Sequence, residues 1–369
     1  MAINPLVTVL MTVYNGGEYL KTSVRSILNQ TFKDFEFLIV NDFSTDDSVD
    51  IIKLFNDGRI VIYNNEKNIG QTKSLNVGLN LAKGKYVARM DADDMAFPLW
   101  LDKSLDYIRK HPEYAAVGSA AIVMNESGRM KKALKTPTNF AEVIFHIFFG
   151  NAINHVGAIF NKEIILKNGG YNEEFKIAQD YELWSSLIRD AQRFINIPDV
   201  LVAVRVHESS LGYMEEKKKG LAEVAETIYR NITALTNLKI SYEDAVKLRM
   251  FYRFPEQLSL EEFNYAHRLY EEIFYNLKDE FKINKNLLRR KLKRQMLIPY
   301  CKRAISEAEK NMLRSVRHTT SDYLGSHGFH PVPVLIFLMS FFGMSIIKRL
   351  TYIYTKWQEK AMRVIMSRS

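Results

Sequence analysis

The front half of this chain predicts an α/β fold built on a doubly wound, mostly parallel sheet. Three observations lead there. Short β-prone apolar runs recur at residues 6–13, 35–40, 59–63 and 85–90, stretches with helical spacing separate them, and polar clusters follow the first, second and fourth runs.

The first run, LVTVLMTV, leads into NGGEYLKTSVRSILNQ, where Leu20, Val24, Ile27 and Leu28 share a helical face. FEFLIV is the second strand, and Ser44, Thr45, Asp46 and Asp47 then give a helix start signal before VDIIKLF. RIVIY is the third strand, TKSLNVGLNLA the next helix and KYVARM the fourth strand. Sheets of this kind bind ligands beyond the carboxyl ends of their strands. Tyr14 and Asn15, Asn41 and Asp42, and Asp91, Asp93 and Asp94 all fall there.

The stretch ARMDADDM crowds three carboxylates into four residues behind an apolar strand. Like charges this close repel, and each loses hydration on burial. A divalent cation is the usual offset, and hard carboxylate oxygens suit Mn²⁺ or Mg²⁺. The alternative is an acidic helix cap, with Asp94 as the candidate ahead of Pro98.

VLMTVYNGGEYLKTSVRSILNQTFKDFEFLIVNDFSTDDS, followed by NNEKNIGQTKSLNVGLNLAKGKYVARMDADD, resembles the family 2 glycosyltransferases over residues 5–210. The resemblance implies the GT-A fold and inverting transfer of a sugar from a nucleotide-diphosphate donor, with a UDP-sugar favoured. Asp91 and Asp93 match the family's DxD motif. Asp93 is then a direct metal ligand, and Asp91 serves the donor sugar, the ribose or the metal. Asp42 matches an acid that accepts a hydrogen bond from the base, although Asn41 and Phe43 depart from the two acids and glycine common there. Thr12, Tyr14 and Asn15 match the nucleotide-facing strand end, with Tyr14 either stacking on the base or packing in the core. In NIGQTKSLN, Gly70 lets the backbone approach the ligand, and Lys73 is a diphosphate contact or a solvated lysine. Arg89 pairs with phosphate or with a neighbouring Asp.

Farther along, KIAQDYELWSSLIRD resembles the family's acid-acid motif, with Gln179 in the first acid's place and Asp180 as the general base. An acceptor hydroxyl needs such a group to take its proton during attack; a helix N-cap is the competing role. Trp184 lines the acceptor site or belongs to the core. Asn154 and His155, at a strand start, match the acceptor side. His207 matches a histidine that completes the metal or diphosphate site, and Arg205 on the same strand face is a phosphate candidate.

The rear half reads as helical and carries the charge. Of the net +9, residues 282–317 contribute +10 and residues 319–369 contribute +4, leaving −5 for the first 281. Residues 334–347 are uncharged but too short as a helix for a hydrocarbon core of about 30 Å. Beyond them Leu350, Ile353, Tyr354, Trp357, Ala361 and Val364 form an apolar face flanked by Lys348, Arg349, Lys356, Lys360 and Arg363. That pattern predicts a helix lying on an anionic membrane surface, or one packing on its own domain or a second subunit in a homo-oligomer. No recognition-helix or aromatic-platform motif points to nucleic acid. The lone Cys301 fits a reducing compartment, and no leader is expected before the first apolar run.

The expectation is therefore a GT-A glycosyltransferase domain at residues 1–212, a basic helical region at 213–325 and a membrane-associating tail at 326–369. It is a metal-dependent enzyme of the hexosyltransferase type on the inner face of the cell membrane. The resemblance implies a glycan or lipid-linked acceptor in surface-polysaccharide synthesis. A sugar nucleotidyltransferase or a non-catalytic sugar- or lipid-binding protein on a related fold are the rivals. YNGGEYLKTS lacks the glycine-and-arginine-rich loop of the former.

Overall fold

The computed structural model describes residues 4–207 and 218–278, with Pro299 and Arg303 beyond them. These residues fall into two compact units. One runs to Leu235 and takes in Lys278; the other comprises Thr236–Leu277 and the two isolated positions. The tail expected at residues 326–369 lies outside the described residues.

In the first unit β1 (Val7–Val13), β2 (Phe35–Asn41), β3 (Ile60–Asn64) and β4 (Tyr86–Arg89) are all parallel, in the order β3-β2-β1-β4. The intervening helices are α1 (Leu20–Leu28), α2 (Ser48–Lys53) and α3 (Gln71–Leu81). Every residue of β1 and β2 is buried, as expected of strands covered on both faces. Leu20, Ser23, Val24 and Ile27 form the buried face of α1, at the spacing that marks it as a helix in the sequence.

The rest of the sheet is mixed. The chain continues through β5 (Met95–Ala96), α4 (Trp100–Lys110), β6 (Tyr114–Met124), β7 (Met130–Leu134) and α5 (Phe140–Ile147). It then forms β8 (Ile159–Asn161), α6 (Lys162–Lys167), α7 (Gln179–Arg189), β9 (Arg193–Arg205) and α8 (Lys218–Leu235). The nine-stranded order is β3-β2-β1-β4-β8-β6-β9-β5, with β7 paired to β6. β8 is antiparallel to both β4 and β6, while β6 and β9 are parallel. β9 survives an internal proline, Pro198, because the ladder skips there: Ser119 pairs with Ile197 and Ala120 with Val200. The indole of Trp100 donates to the Gly157 carbonyl at 2.8 Å, tying α4 to the loop before β8.

The second unit is helical. α9 (Tyr242–Arg253) and α10 (Leu260–Tyr275) each begin with a capping box, Ser241 with Asp244 and Ser259 with Glu262. Phe251 packs against Phe263 and Tyr270, with ring centroids 4.9 and 5.9 Å away. Among the described residues no helix is long and apolar enough to cross a membrane.

One buried carboxylate knots the parallel half. Glu36 Oε1 accepts from Thr8 Oγ1 and from the Lys83 amide, both at 2.6 Å, and Thr8 in turn accepts from the Gly84 amide at 2.9 Å. Glu36→Ala leaves these donors stranded, a loss of about 1–3 kcal/mol. At roughly 2–4 °C per kcal/mol, the thermal midpoint should fall by several degrees. Glu36→Gln, which keeps the shared oxygen, should fall less. Thermal unfolding by circular dichroism checks both.

Candidate active site

β4 ends at Arg89 and the chain turns directly into the acidic loop. Each of its three carboxylates finds a different partner. Asp91 Oδ1 accepts from Arg89 Nη2 at 2.5 Å and from Gln71 Nε2 at 3.2 Å. Asp93 Oδ2 lies 2.8 Å from His207 Nε2. Asp94 Oδ1 accepts from the Arg205 amide at 2.6 Å. Asp94 thus fastens β9 rather than capping α4, whose N-cap Leu99 has no side-chain bond.

Arg205 acts as a clamp, not as the phosphate contact its sequence position suggested. Its Nε donates to the Asp93 carbonyl at 2.9 Å, and its Nη1 to the carbonyls of Asn125 and Glu126 at 3.2 and 2.7 Å. The guanidinium also stacks over Tyr19, 4.3 Å from the ring centroid. These bonds hold the end of β9 against the acidic loop and deliver His207 to Asp93.

Burial, then repulsion from Asp91, pushes the Asp93 carboxyl above its ordinary pKa, against the pull of His207. Burial, then Asp93 and Asp91, pushes Asp94 well above it. Among the described residues no three His, Cys, Asp or Glu side chains converge as a metal cage. The loop offers the pair Asp93–His207, because Asp91 is turned onto Arg89 and Gln71.

The donor-side expectations meet a mixed outcome. Thr12, the residue before the last of β1, is buried, while Tyr14, half-exposed, projects at the carboxyl end of the strand. Asn15 takes φ +51° and its Oδ1 accepts from the Thr45 amide at 2.8 Å, pinning the loop after β2. Asp42 is buried, and its carboxylate accepts from Asn65 Nδ2, the Ile69 amide and the Gly70 amide at 2.8, 2.9 and 2.8 Å. It organises the loop before α3, where direct contact with a base had been expected. A Cβ on Gly70 would meet no protein atom within 4 Å, and its φ of +88° is what favours glycine there. Its amide is already given to Asp42. Phe43, at the position where the sequence departs from glycine, keeps a left-handed φ of +65° with half its surface exposed. Lys73 is exposed on the first turn of α3. Arg89 is fully buried and pairs with Asp91, the second of the two partners its sequence position offered.

Across the site, Asp180 sits at the second residue of α7. It is not the N-cap, which is Ala178. Its Oδ2 accepts from Asn151 Nδ2 at 2.5 Å and its Oδ1 from the Tyr181 amide at 2.7 Å. The Gln179 amide lies 3.0 Å from Gln71 Oε1, and Gln71 reaches Asp91, so two amides connect the acidic loop to the start of α7. Trp184 is corrected from acceptor site to core: it is fully buried, edge-on to His155 and Phe160 at 6.2 and 6.0 Å. His155 is likewise buried. Its Nε2 lies 2.7 Å from the Tyr171 hydroxyl, and burial, aided by the Arg89 charge, holds its pKa well below the usual value. Asn154 donates to the Ser119 carbonyl at 3.1 Å, and both residues sit in the loop before β8, not at a strand start.

A sequence model described as Glycosyl transferase family 2 matches residues 8–170. The O-antigen biosynthesis glycosyltransferase WbnJ of Escherichia coli is 33% identical over 236 residues, covering 60% of this chain and 90% of that protein. The chain belongs to glycosyl transferase family 2. Among solved structures, the transferase's fold is similar to Staphylococcus aureus TarS 1-349 in complex with UDP-GlcNAc, at TM-score 0.55 and 19% identity, covering 83% of this chain and 91% of that one. It is also similar to the mannosyltransferase PcManGT from Pyrobaculum calidifontis in complex with GDP-Man and Mn²⁺, at TM-score 0.52 and 18% identity, covering 73% and 76%.

The family match ends before Asp180, β9 and His207. Sequence reasoning missed Gln71, although it stands between the two residues chosen in NIGQTKSLN. Asn151, three residues before Asn154, was missed too, as was Tyr171, buried against His155.

The raised pKa values of Asp93 and Asp94 fix a sign. The folded state holds these protons more tightly than the unfolded chain, so protonation favours folding. Their contribution to stability is therefore lost as pH rises from the ordinary carboxylate range through the raised values. In chelator, Asp94→Asn, which keeps an oxygen for the Arg205 amide, should melt higher than the wild type at neutral pH. The gain should shrink toward acid pH. Paired melts between about pH 4 and 8 check this.

Proposed function

We propose that the protein is an inverting, metal-dependent glycosyltransferase moving a sugar from a nucleotide-diphosphate donor, a UDP-sugar by preference, to a hydroxyl of a glycan or lipid-linked glycan. The observation that carries this reading is that the Gln71 side chain meets both Asp91, after β4, and Gln179, the neighbour of Asp180 at the start of α7. This proximity supports reading a donor-side acid and a candidate base as parts of one site. The fold neighbour solved with UDP-GlcNAc supports the donor class, and the O-antigen relative supports a role in surface polysaccharide.

Asp180 takes the proton of the attacking hydroxyl, with Asn151 and the Tyr181 amide fixing its two oxygens. Asp91, paired with Arg89, faces the donor. Tyr14 and the loop held by Asp42 frame the nucleotide, and Lys73 is an exposed cation on the first turn of the helix that follows that loop. Asp93 and His207 fit a hard divalent cation. A carboxylate oxygen and an imidazole nitrogen already converge, a positive charge would relieve the burial and repulsion that push Asp93 up, and donor phosphate oxygens complete such sites. When bound, the cation would neutralise the charge on the departing nucleoside diphosphate. The basic, amphipathic tail in the sequence supports attachment to the inner membrane face and hence a lipid-linked acceptor.

A panel of nucleotide-sugars with Mn²⁺, read by nucleoside diphosphate release, tests the reading. At least one UDP-sugar should be turned over, and chelator should abolish it. Asp180→Asn should lose about 10²–10⁴-fold in kcat, with donor binding by calorimetry unchanged. Full turnover in that variant would remove the base assignment.

A further inference from the structure

The N-terminus of α7 is capped from an unexpected direction. Glu223, on α8, accepts from the Lys176 amide with both oxygens at 3.1 Å, and from the Ile177 and Ala178 amides with Oε2 at 2.8 Å each. Three successive amides ending at the N-cap point at one carboxylate, while the N-cap residue itself offers no side-chain bond. Orphan amides and the positive end of a helix favour an anion at this place. Here the chain supplies its own.

The rest of α8 makes the attachment rigid. Thr227 Oγ1 and Arg230 Nη1 bond the Glu182 carboxylate at 3.0 and 3.2 Å, and Asn231 Nδ2 donates to Ser185 Oγ at 3.0 Å. Arg230 also lies over Phe175, 5.3 Å from the ring centroid. The segment 176–178 is thus held on both sides: by α8 behind it and by the Gln179–Gln71 contact ahead of it. Asp180 follows two residues after the last amide that Glu223 binds. Its place relative to Asp91 depends on that segment.

We propose that Glu223 is a positioning residue for the transfer step: its carboxylate fixes the 176–178 backbone so that Asp180 is held at the distance from the donor end that proton abstraction needs. The proposal rests on the reading of Asp180 as base. It extends the functional unit to a helix outside the residues matched by the family model. Misplacing a reacting group by about 1 Å can cost about 10²-fold in rate, whereas donor binding, built from the other side of the site, has no reason to change.

The test is steady-state kinetics of the full chain with the nucleotide-sugar that wild type turns over in a panel of UDP-, GDP- and dTDP-sugars. Glu223→Ala should lower kcat by about 10–100-fold with donor KM unchanged. Glu223→Gln, which keeps the volume and one acceptor oxygen, should fall between it and wild type. Hydrogen exchange should show faster exchange of the amides of 176–178 in both. Wild-type kcat in Glu223→Ala overturns the proposal, as does a joint change of kcat and donor KM with a lowered melting point. Should Glu223→Ala fail to fold, Glu223→Gln decides alone: wild-type kcat in it, with faster exchange at 176–178, overturns the proposal. Asp180→Asn is run in parallel. If it keeps full turnover, the base reading fails; if it loses turnover while Glu223→Ala does not, only the bracing role fails.

Discussion

Three carboxylates packed at the end of β4 create a demand for compensation that shapes the whole catalytic unit. One partner is too few, because each acid is partly or wholly withdrawn from water. The chain answers with three distinct groups: the Arg89 guanidinium for Asp91, the His207 ring for Asp93 and the Arg205 amide for Asp94. Two of them belong to the end of β9. The junction between the parallel half of the sheet and its mixed half is therefore electrostatic as well as apolar. Arg205, with four bonds to neighbouring carbonyl and aromatic groups, keeps the junction in register.

The same logic explains why so much polar material is buried around the site without being catalytic. Arg89 is inaccessible, yet it pairs with an acid that is partly exposed. His155 and Tyr171 form a hydrogen-bonded pair in the core beneath it, the histidine kept neutral by burial and by the guanidinium's field. Burial raises the pKa of the Tyr171 hydroxyl, which favours its phenol form. These residues are supports for the acidic loop; the groups left facing solvent, Tyr14, Lys73 and part of Asp93, are few.

The parallel half of the fold was legible in the sequence because its strands are continuous apolar runs and its helices show clean spacing. β6 and β9 were harder. The former is rich in alanine and glycine, and the latter contains a proline that argues against a strand until the skipped register is seen. Motif positions carried Asp91, Asp93, Asp180 and His207, which the structure places in the first unit around the ends of β4, α7 and β9. Roles that depend on which way a side chain turns were not legible. Arg89 and Trp184 could each have faced the ligand or the core, and only packing decides. Asp42 could bond a base or a loop, and the loop's two amides took it. Gln71 and Glu223 left no signal because an amide or a carboxylate on an exposed helical turn looks the same whether it braces a site or meets water.

The acidic loop and its partners on β9 are separated by 111 to 114 residues of chain. At a synthesis rate of about 5–20 residues per second, that interval lasts roughly 5–20 s. The strands β1 to β4 pair with one another within the first part of the chain, β8 joining β4 later, so the parallel half has partners of its own before β9 exists. Until then water must solvate the carboxylates of Asp93 and Asp94. The nascent protein thus carries an open, hydrated acidic tip that is sealed only when the last strand of the sheet arrives from the ribosome.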